Sequence, residues 1–175
     1  SDFSEYNEIN QISNKIILLH EFQKYEVIPK INVDITEDFL SRRLMKGTIP
    51  YNCAIYIMGH EKIGKFNVDL LNFPIKYKNI DEHHIIPKSQ SKGKDSIYNS
   101  IVNITLLNKD SNRNEVKGKP LSDYLKEIEI TLNNQHLFNT VCEQNIIPLE
   151  YINDDELFLE ARKELLTSYL NNYFK

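Results

Sequence analysis

A chain of 175 residues that is 41% hydrophobic, with 10 tyrosines and 8 phenylalanines, can bury a core within one domain, which excludes a disordered chain. No run approaches the roughly 20 apolar residues of a membrane span, and the N-terminus shows no basic-then-apolar leader, so a cytoplasmic protein with no membrane partner is expected. A net charge of −4 speaks against nucleic acid, yet Lys88 to Lys119 holds seven basic and three acidic residues, a +4 strip that is either a phosphate footprint or a solvated loop.

In chain order, Ile9, Ile12, Ile16, Leu19 and Phe22 recur at three- and four-residue intervals, which predicts a helix over about 5–25 closed by Pro29. Thr36 is placed to cap a second helix carrying Phe39, Leu40 and Leu44, ended by Gly47. Tyr51 to Met58 predicts a short buried helix. From Phe73 to Pro87 the pattern becomes an extended arm leading into Asp81, and the polar stretch Lys88 to Ser100 predicts a loop. Ile101 to Leu107 is β-branched and short, a second strand running into a helix near Asn108 to Glu115. Pro120 suits the start of a helix with Leu121, Tyr124, Leu125 and Ile128 on its face. A last helix begins at Asn153, with Asp154, Asp155 and Glu156 at its positive end and a stripe of Leu157, Phe158, Ala161, Leu165, Leu166, Tyr169 and Leu170. The expected fold is α+β and mostly helical. One domain over 1–175 divides into a helical segment over 1–72, a strand–loop–strand–helix insert about 73–118, and C-terminal helices 119–175.

The chemistry concentrates in Asp81-Glu82-His83-His84-Ile85-Ile86-Pro87. On an extended segment, Asp81 and His83 share one face and His84 projects differently. Asp81 and His83 could then hold a metal while His84 stays free to take a proton from water, the division of labour that metal-assisted hydrolysis needs. A histidine pair beside an acid can equally be a satisfied structural cluster. His20, His60 and His136 lie outside this group and read as structural or surface residues. Cys53 and Cys142 are too far apart for a Cys-x-x-Cys zinc knuckle and read as two buried free thiols.

Asn103, within Asn-Ile-Thr-Leu-Leu, and Asn112, within Asp-Ser-Asn-Arg, follow at 19 and then 9 residues after His84. In this order the residues resemble the His-Asn-His (HNH) endonucleases, which share a ββα-metal core; the likeness to the HNH domain of CRISPR effector nucleases is closest over Asn103 to Arg113. The resemblance implies a small ββα-metal core embedded among flanking helices and divalent-metal-dependent cleavage of DNA. Matched residue by residue, it makes His84 the general base and His83 and Asn112 the metal ligands. Asn103 becomes the central asparagine that braces the loop. Asp81 would bind the metal or bond to a histidine nitrogen. Mg2+ is the expected ion, with Mn2+ or another divalent ion as alternatives. Lys88, Lys92, Lys94, Arg113, Lys117 and Lys119 are the candidate DNA contacts, with Lys88 and Arg113 nearest the motif.

Two further stretches, Pro120 to Leu125 and Phe158 to Leu166, are similar to the C-terminal nuclease halves of GmrSD-type modification-dependent (type IV) restriction and phage-defence proteins. That likeness implies a nuclease portion of a longer protein whose nucleotide-hydrolysing N-terminal domain is absent from this chain, where no Gly-rich phosphate loop occurs. The rival expectations are an inactive HNH-like module that docks DNA or a partner, and a small metallohydrolase acting on a soluble phosphoester.

Overall fold

The computed structural model describes residues 36–41, 68–91, 95–116 and 118–173. The helices expected over 5–25 and 51–58 lie outside the described residues. Thr36 caps helix α1 (Glu37–Ser41) as its sequence predicts: the Phe39 amide donates to Thr36 Oγ1 at 3.2 Å, and Phe39 and Leu40 turn into the core.

The molecule is α+β and mostly helical, and the described residues include a two-stranded antiparallel sheet. Strand β1 (Ile80–His84) pairs with β2 (Ile104–Asn108) so that Asp81 stands opposite Leu107, His83 opposite Thr105 and His84 opposite Ile104. Every residue of β2 is buried, so the sheet is covered on both faces. The connection from β1 to β2 corrects the expected loop. Pro87 starts a tight helical turn at Lys88–Gln90, a short helix α2 (Asp95–Tyr98) follows, and Ile101–Asn103 forms a further turn before β2 begins. The Ser100 hydroxyl forces that last turn, accepting from the Val102 amide and donating to the Ile97 carbonyl. A local side-chain cap therefore outcompetes the β propensity of Ile101 and Val102.

β2 runs directly into α3 (Lys109–Ser111), which widens into a π-type turn over Asn112–Val116. Gly118, at φ +69°, reverses the chain where a side chain would be strained. Helix α4 (Leu121–Leu132) buries Leu121, Tyr124, Leu125 and Ile128, the face its sequence predicts. It ends on Asn133 in the left-handed conformation. Asn134 then accepts from the Leu137 amide to cap α5 (Gln135–Gln144), a helix for which hydrophobic spacing predicts no bounds. Asp154 caps α6 (Asp155–Tyr173) through the amides of Glu156 and Leu157. The buried face of α6 is Phe158, Leu159, Arg162, Leu166 and Leu170, whereas Leu157 and Leu165 face solvent, which corrects the expected stripe by rotating it. Among the described residues no helix is long and apolar enough to cross a membrane.

The turn 69–74 is tied to the sheet through Asp69. Asp69 is fully buried; Oδ1 accepts from the Leu71 and Phe73 amides, and Oδ2 accepts from Asn108 Nδ2 at 2.9 Å and Ser111 Oγ at 2.6 Å. Asn108 in turn donates to the Pro74 carbonyl and accepts from the Lys76 amide. The corner where β2 becomes α3 is thus tied to the arm that precedes β1.

Candidate functional site

The alternation of β1 puts Asp81 and His83 on one face of the strand, where Asn112 meets Asp81. Asn112, the first residue of the π-type turn, donates from Nδ2 to Asp81 Oδ2 at 3.1 Å. The tertiary structure therefore brings Asp81, His83 and Asn112 together from 31 residues apart in sequence. His83 is only 7% exposed, and its ring meets Tyr124 edge-on, with centroids 5.9 Å apart and planes at 79°. Its Nε2 is buried with no hydrogen-bond partner among the described residues. An imidazole nitrogen left without a partner costs about 1–3 kcal/mol and asks for an explanation, such as an ion or a water.

Both histidines are held neutral at neutral pH. Burial pushes the His83 pKa down to about 4, helped by the charge of His84 and opposed by the Asn112 amide and the Asp81 carboxylate. Burial also pushes His84 down to about 4, with the nearby Lys88 ammonium as the second cause. Each ring thereby keeps a lone pair, which is the form that coordinates a cation or accepts a proton. Among the described residues no group of three or more His, Cys, Asp and Glu is placed to hold a metal ion. The set found here is mixed: one carboxylate, one imidazole and one carboxamide.

Asn103 stands behind the histidines and is fully buried. Its Nδ2 donates to the carbonyls of Ile86 and Tyr98, both at 2.9 Å, and its Oδ1 accepts from the Ile86 amide at 2.9 Å. The Asn103 main-chain carbonyl accepts from the Ile85 amide. Asn103 therefore braces the chain as it leaves His84, and its carboxamide bonds to the main chain rather than to either imidazole. Tyr124 supports the same turn, donating from its hydroxyl to the Ile85 carbonyl at 3.1 Å. Burial raises the phenol pKa far above its ordinary value, so that proton stays in place.

Of the basic residues, Lys88 is exposed beside His84, and Arg113 is exposed next to Asn112. Lys119 is ion-paired with Glu127 of α4, which engages its ammonium on the protein itself. Lys92, Lys94 and Lys117 lie outside the described residues, as do His20, His60 and Cys53. His136 is exposed on α5, away from the group. Cys142 is a buried free thiol whose pKa burial pushes up to about 12, so it is protonated and unreactive.

Four residues that matter here receive no role from the sequence: Asp69, Ser111, Tyr124 and Arg162. In sequence Tyr124 is an ordinary helix-face aromatic. Arg162 has a usable signal, because it sits four residues after Phe158 and four before Leu166, on the buried face itself. Asp69 and Ser111 have none, since their meeting spans 42 residues. Comparison of the chain with protein-family models, with curated proteins and with solved structures gives no match.

Proposed function

We propose that this chain is a divalent-metal-dependent DNA endonuclease of the HNH type, hydrolysing phosphodiester bonds with His84 as general base. The observation that carries the reading is the convergence of Asp81, His83 and Asn112, with the Asn112 amide bonded to the Asp81 carboxylate and the buried His83 imidazole beside both. The order β1, β2, α3 supports it, since a strand pair running into a helix is what the resemblance implies. Asp81, His83 and Asn112 would hold Mg2+, or Mn2+, which supplies charge stabilisation at phosphate oxygens when bound. His84, neutral and half-buried, accepts the proton of the attacking water. Asn103 and Tyr124 fix the Ile85-Ile86 turn from which the His84 backbone hangs. Lys88 and Arg113 neutralise phosphates on either side without reading sequence. The GmrSD-like stretches support a role in restriction of foreign DNA, within a longer protein that carries its own nucleotide-hydrolysing domain.

A nicking assay on supercoiled plasmid tests this. Cutting is expected with Mg2+ or Mn2+ and is abolished by EDTA, and His84→Ala lowers the rate about 10²–10⁴-fold while the melting temperature holds. Full activity in His84→Ala, or no cutting with any divalent ion, overturns the reading; DNA binding without cutting would instead assign an inactive docking module.

A further inference from the structure

A cavity of about 320 Å³ opens between the 69–74 turn and α3. Its wall carries Phe73, Lys76, Asn79, Asp110 and Asn114. Phe73 is 57% exposed, a large aromatic standing in water. Its backbone is not loose: the Phe73 amide is bonded to the buried Asp69 carboxylate, and Asn72 makes the turn at φ +62°. Asn79 and Asn114 make no side-chain hydrogen bond to another described residue, so both amides are open to a ligand. Asn79 lies two residues before Asp81, which bounds their Cα separation at about 7 Å. Ser111, also on the wall, immediately precedes Asn112.

An aromatic face, open carboxamides and one ammonium are the groups that bind a nucleobase and its phosphate. Asp110 adds a directional element. Its carboxylate only accepts, so it favours a base edge that carries an exocyclic amine and repels phosphate from the interior of the cavity. We propose that this cavity holds one unstacked nucleobase of the substrate strand beside the Asp81–Asn112 site, stacked on Phe73 and read by Asn79, Asp110 and Asn114, with cytosine, adenine and guanine accepted over thymine. The inference rests on the nuclease reading for the identity of its ligand and deepens it to substrate form. A base enters only from single-stranded or locally opened DNA, because inside a duplex its face is covered by its neighbours.

The test is equilibrium binding in EDTA, by fluorescence anisotropy, of short single-stranded oligodeoxycytidylate, oligothymidylate and an abasic chain of the same length. Phe73→Ala is expected to weaken oligodeoxycytidylate binding about 5- to 150-fold, with a much smaller change for the abasic chain, whereas Phe73→Tyr retains affinity. Asp110→Asn is expected to narrow the preference for oligodeoxycytidylate over oligothymidylate. Equal losses on base-bearing and abasic chains, no loss on either, or no binding of any chain overturns the proposal. Metal-dependent plasmid cutting with no base-dependent effect of Phe73 would remove the cavity and leave the nuclease. Base-dependent binding without cutting in any metal would remove the nuclease and leave the cavity.

Discussion

Asn103 has a carboxamide with two donors and an acceptor, and its side-chain bonds go to main-chain groups that no regular element satisfies, the amide and carbonyl of Ile86 and the carbonyl of Tyr98. An asparagine at that position is legible from its place in the motif, but its partners are not, because they lie 17 and 5 residues away. The chemistry gives an ordering of variants. Asn103→Ala leaves buried polar groups unpaired at about 1–3 kcal/mol each. Asn103→Asp is expected to be worse despite its closer shape, since an acceptor-only carboxylate would face two carbonyl oxygens. Urea unfolding curves of the two variants check this; Asn103→Asp as stable as wild type would mean that the bonds run differently. The same reasoning separates the two histidines. Their alternation along β1 follows from strand geometry alone, but the burial of His83 against Tyr124 depends on the covering core.

At the scale of elements, the site depends on one corner. Asp69 holds Ser111 and Asn108, and the next residue after Ser111 is Asn112. The carboxylate thus sets where α3 starts, and so where the Asn112 amide meets Asp81. Asp69→Asn replaces one acceptor oxygen with a donor among groups that all donate to it, so a loss of about 1–3 kcal/mol is expected. Activity on plasmid should fall further than stability accounts for, measured well below the melting temperature, because the Asn112 contact shifts with α3. A stable Asp69→Asn variant with unchanged activity would separate the corner from the site. The strands and helices flanking this corner were readable from periodicity and caps: Thr36, Pro120 and the Leu121–Ile128 face appear as expected. What periodicity missed were short turns set by side-chain caps, at Ile101–Asn103 and at the Asn134 start of α5. Caps are local competitions between a hydroxyl or amide and the backbone, and hydrophobic spacing carries no record of them.

Across the whole molecule, Arg162 joins the C-terminal helix to the segment that carries Asn103. Its fully buried guanidinium donates to the carbonyls of Ile146, Ile101, Val102, Ile104 and Asn145. Burial pulls its pKa down to about 9, still above neutral, so it remains a cation balanced by carbonyl dipoles. One of those carbonyls belongs to Ile146, a β-branched residue at φ +51°, a backbone state that costs about 1–3 kcal/mol and persists only where surroundings enforce it. Arg162→Met keeps the apolar stem and removes every donor, and is expected to cost more than about 4 kcal/mol, with Arg162→Lys recovering only part because it offers fewer donors. Chemical denaturation checks this, and a Met variant within about 1 kcal/mol of wild type, the size of an ordinary substitution, would sink the assignment.

The amino-acid sequence alone pointed to an α+β chain, mostly helical, and to candidate site residues between Asp81 and Asn112. Those are consequences of local spacing, which a linear pattern records. Only the tertiary structure decided that Asn112 reaches Asp81, that His83 is sealed against Tyr124, and that Arg162 and Asp69 hold the frame. Each of these is a contact between residues far apart in the chain, made by packing and by the need of buried polar groups for partners.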